Sequence, residues 1–241
     1  MRFIKVKTRA FLPPKDDIYD LLSSVKNLKD GDVVAITSKV LAVHQGRCIK
    51  IDSAVNKNKL IKHEAEAYKF TKVKQQKFVL TVKNHILGLS AGIDESNANG
   101  YYVLLPDNVN KLLKEIWLYL RRQHKLRRLG LIATDSHTFP IRRGTIGLAV
   151  GFFGFEPLKN YRGTKDIFGR KFKFTQTDIP DALAAMSVFL MGEGSERVPI
   201  VVIRGLKLEF TSKSTFRKIV MPRKSDIYYP LLKVLKPNKI C

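Results

Sequence analysis

Two short turns, SAGIDESN at 90–97 and TDSH at 134–137, place carboxylates at the ends of apolar runs. Acids are scarce, with 21 Asp and Glu against 44 Lys and Arg, so where they stand is informative. A carboxylate at the end of a buried strand costs free energy unless it gains a partner. Hard divalent cations, which take oxygen ligands, are one such partner. That chemistry suits a phosphate-bearing substrate. In the first turn Asp94 and Glu95 supply carboxylates, Ser96 and Asn97 add neutral polar groups, and Gly92 permits close backbone approach. The same pattern also makes an Asx turn into a loop. Asp135 closes the run LGLIATD and is followed by Ser136 and His137. A helix N-cap is the competing role for such an Asp, but His-Thr-Phe-Pro is a poor helix start. His137 is open to three roles: a base, a substrate contact or a structural polar group.

Basic residues follow in glycine-punctuated loops. Arg142 and Arg143 precede Gly144, and Lys165, Asp166 and Arg170 lie in GTKDIFGR. Guanidinium groups bind phosphates and carboxylates through paired donors, although each such cation taken alone is an ordinary surface charge. Glu193 stands between Gly192 and Gly194, where backbone N–H groups can approach an anion. Neither a Walker A loop nor GxGxxG is present, and spacing supports no Ser–His–Asp or Cys–His nucleophile.

These groups need a scaffold. Residues 2–7 read as a strand and 16–25 as a short helix with acids in its first turn. DGDVVAITSKVLAV at 30–43 reads as a turn followed by the buried strand VVAIT, and a second strand follows the HQGR turn. HEAEAYKF at 63–70 is a candidate helix; 78–84 and 101–106 are strands. Residues 107–124 are the clearest helix, with Leu112, Leu113, Ile116, Trp117 and Leu120 on one face. Residues 129–135 form a buried strand, and GTIGLAVGFFGF at 144–155 fits a strand or a tightly packed helix. A loop at 159–176 leads into an alternating strand, 178–192 is a helix, 198–206 is a buried strand, and KSDIYYPLLKVL is a last short helix. Strands and helices mix without strict alternation, which predicts a mixed α+β fold.

The 241 residues suit one domain, or two closely joined subdomains, with 207–241 as a basic extension. No run approaches the roughly 18 apolar residues of a membrane helix, and the N-terminus lacks a secretory apolar block, so the expected location is the cytoplasm. Cys48 and Cys241 lack metal-ligand spacing and are not expected to form a disulfide. The net charge of +23 fits a polyanionic partner or a Lys-rich solvated surface. A nucleic-acid-binding protein is the competing functional class. Against it, no recognised nucleic-acid motif appears, and aromatics are not interleaved with the basic cluster RRQHKLRR at 121–128.

Taken together, the segments resemble one family. SAGIDESN resembles NAGIDxSN, TDSHTFPIRRG resembles TDTxGRxxRxG, and AVGFFGFEPLKNYRGTKDIFGRKF resembles AIGxxGxxxLxDxxGxxDxYGRxL. DALAAMSVFLMGEGSERVPIVVIRG resembles DExAAxAxLxMGExxxxxPxVxVRG, and DGDVVAITSKV matches the N-terminal segment. This is the family of coenzyme F420-0:L-glutamate ligases. The resemblance implies an amide-forming γ-glutamyl ligase that uses GTP, or ATP, with Mn2+ or Mg2+. A substrate carboxylate becomes an acyl phosphate, and the amine of L-glutamate then attacks it. It also implies an intertwined homodimer. By motif position Asp94, Asp135, Ser136 and Glu193 would be metal ligands or their neighbours. Ser38, Lys39, Asn97, Gly192 and Gly194 would face the nucleotide. Asp135, His137, Arg142, Arg143, Lys165, Asp166 and Arg170 would be the catalytic set. The chain departs from the family at Val43, where a Lys is common, at Thr138-Phe139, where Gly-Arg is usual, and at His137. With the acids retained, these departures imply a divergent member acting on a different acceptor, a folate as in relatives with a TDSHT-type segment, so the acceptor is either a folate or the family's deazaflavin coenzyme F420-0. A degenerate ligase fold that binds nucleotide without turnover is the third reading, and Val43 is its best support.

Overall fold

The computed structural model describes residues 1–238. In chain order the elements are β1 (Arg2–Val6), α1 (Ile18–Leu22), β2 (Asp32–Thr37), α2 (Ser38–His44), β3 (Cys48–Lys50), α3 (Lys57–Glu64), β4 (Ala67–Val73), β5 (Gln76–Lys83), β6 (Ile86–Leu89), β7 (Tyr101–Val103) and α4 (Val109–His124). They continue with β8 (Leu129–His137), β9 (Ile146–Phe153), β10 (Leu158–Asn160), β11 (Gln176–Asp178), α5 (Ile179–Met191), β12 (Ile200–Arg204), α6 (Tyr229–Leu232) and β13 (Lys236–Pro237). The mixed α+β class read from the sequence is the class observed.

A five-stranded sheet in the order β1-β12-β2-β8-β9 forms the centre, with β2 and β8 parallel and the other pairs antiparallel. Its inner strands are buried on both faces, which explains why VVAI reads as an unbroken apolar run. Val34 and Ile36 face α1, α2 and α4, while Val33 and Ala35 face α5. The α4 stripe packs as its spacing predicts, with Leu113, Ile116 and Leu120 wholly buried. Strand β9 accounts for the ambiguity of GTIGLAVGFFGF. Its glycines lie where helices approach the sheet, and a Cβ on Gly147 would stand 2.3 Å from the Ala184 carbonyl oxygen of α5.

A second antiparallel sheet, β13-β4-β5-β6, packs with α3 around Ile61, Val79, Ile93 and Tyr102. The β3–β7 ladder lies beside it in sequence and carries the Asp94 turn. One sequence expectation needs correction here. HEAEAYKF is not one helix: α3 ends at Glu64 and Ala67–Val73 is a strand, because its residues pair with β5 across the Lys74-Gln75 turn. The buried strand VVAIT appears as β2, which ends at Thr37, and the next residue starts α2. Residues 208–219 lie on the body, with Leu208, Phe210, Phe216 and Ile219 against the α5-side core. Cys48 is half-buried in β3; the pairing expectation also concerns Cys241, which lies outside the described residues. Among the described residues no helix is long and apolar enough to cross a membrane.

Candidate active site

The site begins where the parallel pairing of β2 and β8 ends. Thr37 pairs with Thr134, so β2 ends beside β8, which runs on to His137 along β9. The crevice beyond the carboxyl ends of parallel strands is the usual ligand position in open sheets of this kind. Ser38 and Asp135 are the next residues on each strand, and Ser38 Oγ donates to Asp135 Oδ1 at 3.1 Å. A register shift in the β8–β9 ladder falls between Ala133 and Thr134, immediately before the acid.

Asp94 arrives from the other sequence region. Its backbone exchanges two hydrogen bonds with Val103, at 2.9 and 2.8 Å, which fixes the turn to the end of β7. Gly92 has φ +71°, and a Cβ there would stand 2.6 Å from Leu105 Cγ, so only glycine fits. Asp94 Oδ1 accepts from Ser96 N at 2.8 Å and Ser96 Oγ at 2.9 Å, and the Asx turn is real. The other oxygen, Oδ2, stands 2.7 Å from Lys39 Nζ of α2, whose ammonium also donates to the Ser96 carbonyl at 2.8 Å.

The two acids are electrostatically unlike. Burial pushes the Asp135 carboxyl up to about 7, and the charge of Asp94 adds to the rise against the Ser38 hydrogen bond. Burial works against ionisation of Asp94 too, but the Lys39 ammonium and the Ser96 bonds outweigh it and hold the carboxyl below its usual range. Both acids line a cleft of about 870 Å³ that also presents Arg9, Phe11, Asn97 and the 192–197 loop. Asn97 Nδ2 donates to the Gly194 carbonyl at 3.0 Å and clasps the two loops together.

A model of the F420-0:γ-glutamyl ligase family matches residues 8–205. The coenzyme F420:L-glutamate ligase of Methanopyrus kandleri is 31% identical, over 95% of this chain and 97% of its own. That of Methanocaldococcus jannaschii is 29% identical, over 83% and 86%. The Archaeoglobus fulgidus enzyme of the same name is 29% identical, over 90% and 92%. The chain belongs to the F420-0:γ-glutamyl ligase family. It is an enzyme of the amide-forming ligase class.

Of the residues singled out in this ligase from sequence, Lys39, Asp94, Asn97, Asp135, Ser136, Gly192, Glu193 and Gly194 surround the cleft, with Ser38 behind Asp135. Glu193 stands apart from the other two acids, its Oε1 accepting from Thr145 Oγ1 at 3.3 Å. Among the described residues no three His, Cys, Asp or Glu side chains converge as metal ligands. Magnesium-type sites commonly use one or two carboxylates plus substrate phosphates, and the Asp94–Asp135 pair with the Ser136 hydroxyl fits that donor set. His137 lines a second, smaller cavity on the far side of Asp135 and meets the Phe139 ring edge-on at 5.2 Å. Burial lowers its pKa.

The remaining cations lie elsewhere in the ligase subunit. Arg142 and Arg143 are on the exposed turn before β9. Lys165, Asp166 and Arg170 are on the hairpin between β10 and β11, where Asp166 Oδ1 caps a turn by accepting from Phe168 N and Arg170 N at 2.9 Å. Sequence reasoning missed Arg9, which pairs with Asp16 at 2.7 Å on the cleft rim, and Lys83 in the smaller cavity. Lys83 had a readable signal: it continues the inward-facing series Val79, Thr81 along β5, an unusual place for a lysine.

Proposed function

We propose that this chain is a nucleotide- and divalent-metal-dependent γ-glutamyl ligase of the cytoplasm, acting on coenzyme F420-0 or a folate. One observation carries the reading: Asp94 and Asp135 come from distant parts of the chain to the floor of one cleft, beside Lys39 and the 192–194 loop. GTP or ATP would occupy the cleft, with its phosphates toward the loop and the Lys39 ammonium offsetting their charge. The acceptor carboxylate oxygen attacks the γ-phosphorus and the nucleoside diphosphate leaves. The glutamate nitrogen then attacks the acyl carbon, inorganic phosphate departs and the nitrogen sheds a proton. A bound Mn2+ or Mg2+, held by Asp94 and Asp135, would neutralise phosphate charge. The subunit's part is to hold two anions within reach of each other in a cleft that limits water.

The relatives' names support coenzyme F420-0 as the acceptor; His137 and Thr138 are the departures that support a folate. The relatives match over nearly their whole lengths, which supports reading residues 1–241 as one ligase unit. A homodimer belongs to the same proposal. Ile167, Phe168 and Phe174 are 91%, 90% and 81% exposed beside Lys165 and Arg170, and a second subunit would cover them. The test is incubation with L-glutamate, GTP or ATP, Mn2+ and each acceptor, followed by mass spectrometry. Addition of a glutamyl residue to one acceptor is expected. If neither acceptor gains mass and no nucleotide is hydrolysed, the proposal fails.

A further inference from the structure

The smaller cavity, of about 220 Å³, lies between the two sheets. One wall comes from β5 and β6, with Lys83 and Gly88; the other comes from β8 and β9, with His137 and Leu148. Among the described residues, Asp135 and Ser136 alone line both this cavity and the large cleft. The two spaces therefore meet at the acid on which the phosphoryl chemistry would centre.

Size and charge restrict what the smaller space accepts. Ligand pockets for drug-sized molecules run to about 300–1,000 Å³, so 220 Å³ suits a small ligand such as an amino acid rather than a whole folate or deazaflavin coenzyme. Thr81 is already engaged, since its Oγ1 accepts from Ala91 N at 2.8 Å. Lys83 is the cation of the cavity. Its Nζ bonds Glu64 Oε2 at 3.1 Å, leaving further donors unused. Arg47 takes the same Glu64 oxygen at 2.6 Å, so the acid is shared between two cations. Glu64 itself is 5% exposed, and this pairing fixes the lysine rather than cancelling its charge. A cation on one sheet and a carboxylate with a hydroxyl on the other match the two ends of a zwitterion.

We infer that the smaller cavity is the subsite for the amino-acid substrate, with a substrate carboxylate on Lys83 and the amine at the Asp135–Ser136 wall. The inference rests on the ligase reading above and assigns its two substrates to separate spaces. The amine approaches the activated carboxyl group through the shared wall, so the large cleft keeps the nucleotide and the acceptor tail.

Lys83→Met and Gly88→Val test this in the full-length enzyme. The first removes the cation; the second puts a branched side chain into the cavity at a strand position, where the first added carbon would stand 3.5 Å from the His137 ring. Steady-state kinetics should show KM for L-glutamate raised at least tenfold in each, with KM for nucleotide and acceptor within twofold. Calorimetry should show L-glutamate binding to the wild-type enzyme and its loss in both variants. Should Lys83→Met fail to fold with Glu64 short of a partner, Gly88→Val carries the test. An unchanged KM for glutamate overturns the inference, and so does a rise confined to the acceptor. A wild-type protein that binds glutamate, loses it in the variants, yet forms no amide leaves the subsite standing and defeats the ligase reading. Amide formation by both variants with wild-type kinetics does the reverse.

Discussion

Replacing Asp135 by Asn should make the ligand-free protein more stable while abolishing its response to nucleotide. The carboxyl sits at about 7 in the fold against 3.8 for an unperturbed Asp. At about 1.4 kcal/mol per decade, that difference corresponds to roughly 4 kcal/mol at most. Partial solvent access and relaxation bring the expected value nearer ~2 kcal/mol. The sign follows from which state holds the proton more tightly. The folded protein does, so protonation contributes stability that is fully present below about pH 4 and is lost as the pH rises through about 7. Asn is neutral throughout and keeps an oxygen to accept from Ser38. Asp135→Asn should therefore melt about 4–8 °C above wild type at pH 8, given ~2–4 °C per kcal/mol for a chain of this size, and level with it at pH 4. Adding GTP and Mn2+ at pH 8 should raise the wild-type melting temperature and leave the variant where it is. Equal gains at both pH values, or no gain at pH 8, would refute the claim that burial of this charge is what the fold opposes.

Three further outcomes follow from particular contacts. Lys39→Met takes the ammonium from Asp94 and should weaken nucleotide binding at least tenfold by calorimetry, with folding retained; unaltered affinity would remove Lys39 from the site. Gly154→Ala forces a side chain onto φ +98°, with its Cβ 2.2 Å from the Leu129 carbonyl, and should cost roughly 3 kcal/mol in urea unfolding without changing KM. Arg204→Leu leaves the Asp32 carboxylate, 1% exposed, without the guanidinium that now grips both its oxygens at 2.9 and 2.7 Å. A loss of about 3–5 kcal/mol is expected by denaturant titration, and a loss below 1 kcal/mol would show that other groups neutralise Asp32.

The elements that were legible from sequence are those where one periodicity dominates. The α4 stripe from Leu112 to Leu120 and the apolar run of β8 appear where their spacing puts them. Residues 63–70 suggest a helix because Glu64, Ala65 and Glu66 fit one, while Tyr68 and Phe70 take their conformation from the hairpin that pairs Ala67–Val73 with β5. The strand VVAIT is legible as β2, while the short helix α2 after it is settled by the packing of Val40 and Leu41 in the core. In the site, Asp94 and Asp135 stood out because acids are rare here and both follow apolar runs. That they share a cleft is a tertiary fact, set by the parallel pairing of β2 with β8 and by the bridge from Asp94 to Val103. Arg142, Lys165 and Arg170 are marked by residue type, neighbouring glycines and motif position, none of which says where an exposed turn points.

The bridge between Asp94 and Val103 has a mechanical consequence. One acid hangs from the short β3–β7 ladder and the other from the central sheet, joined across the gap by Lys39 and the Asn97 clasp. Any ligand that engages both carboxylates therefore staples two separately built pieces of the molecule.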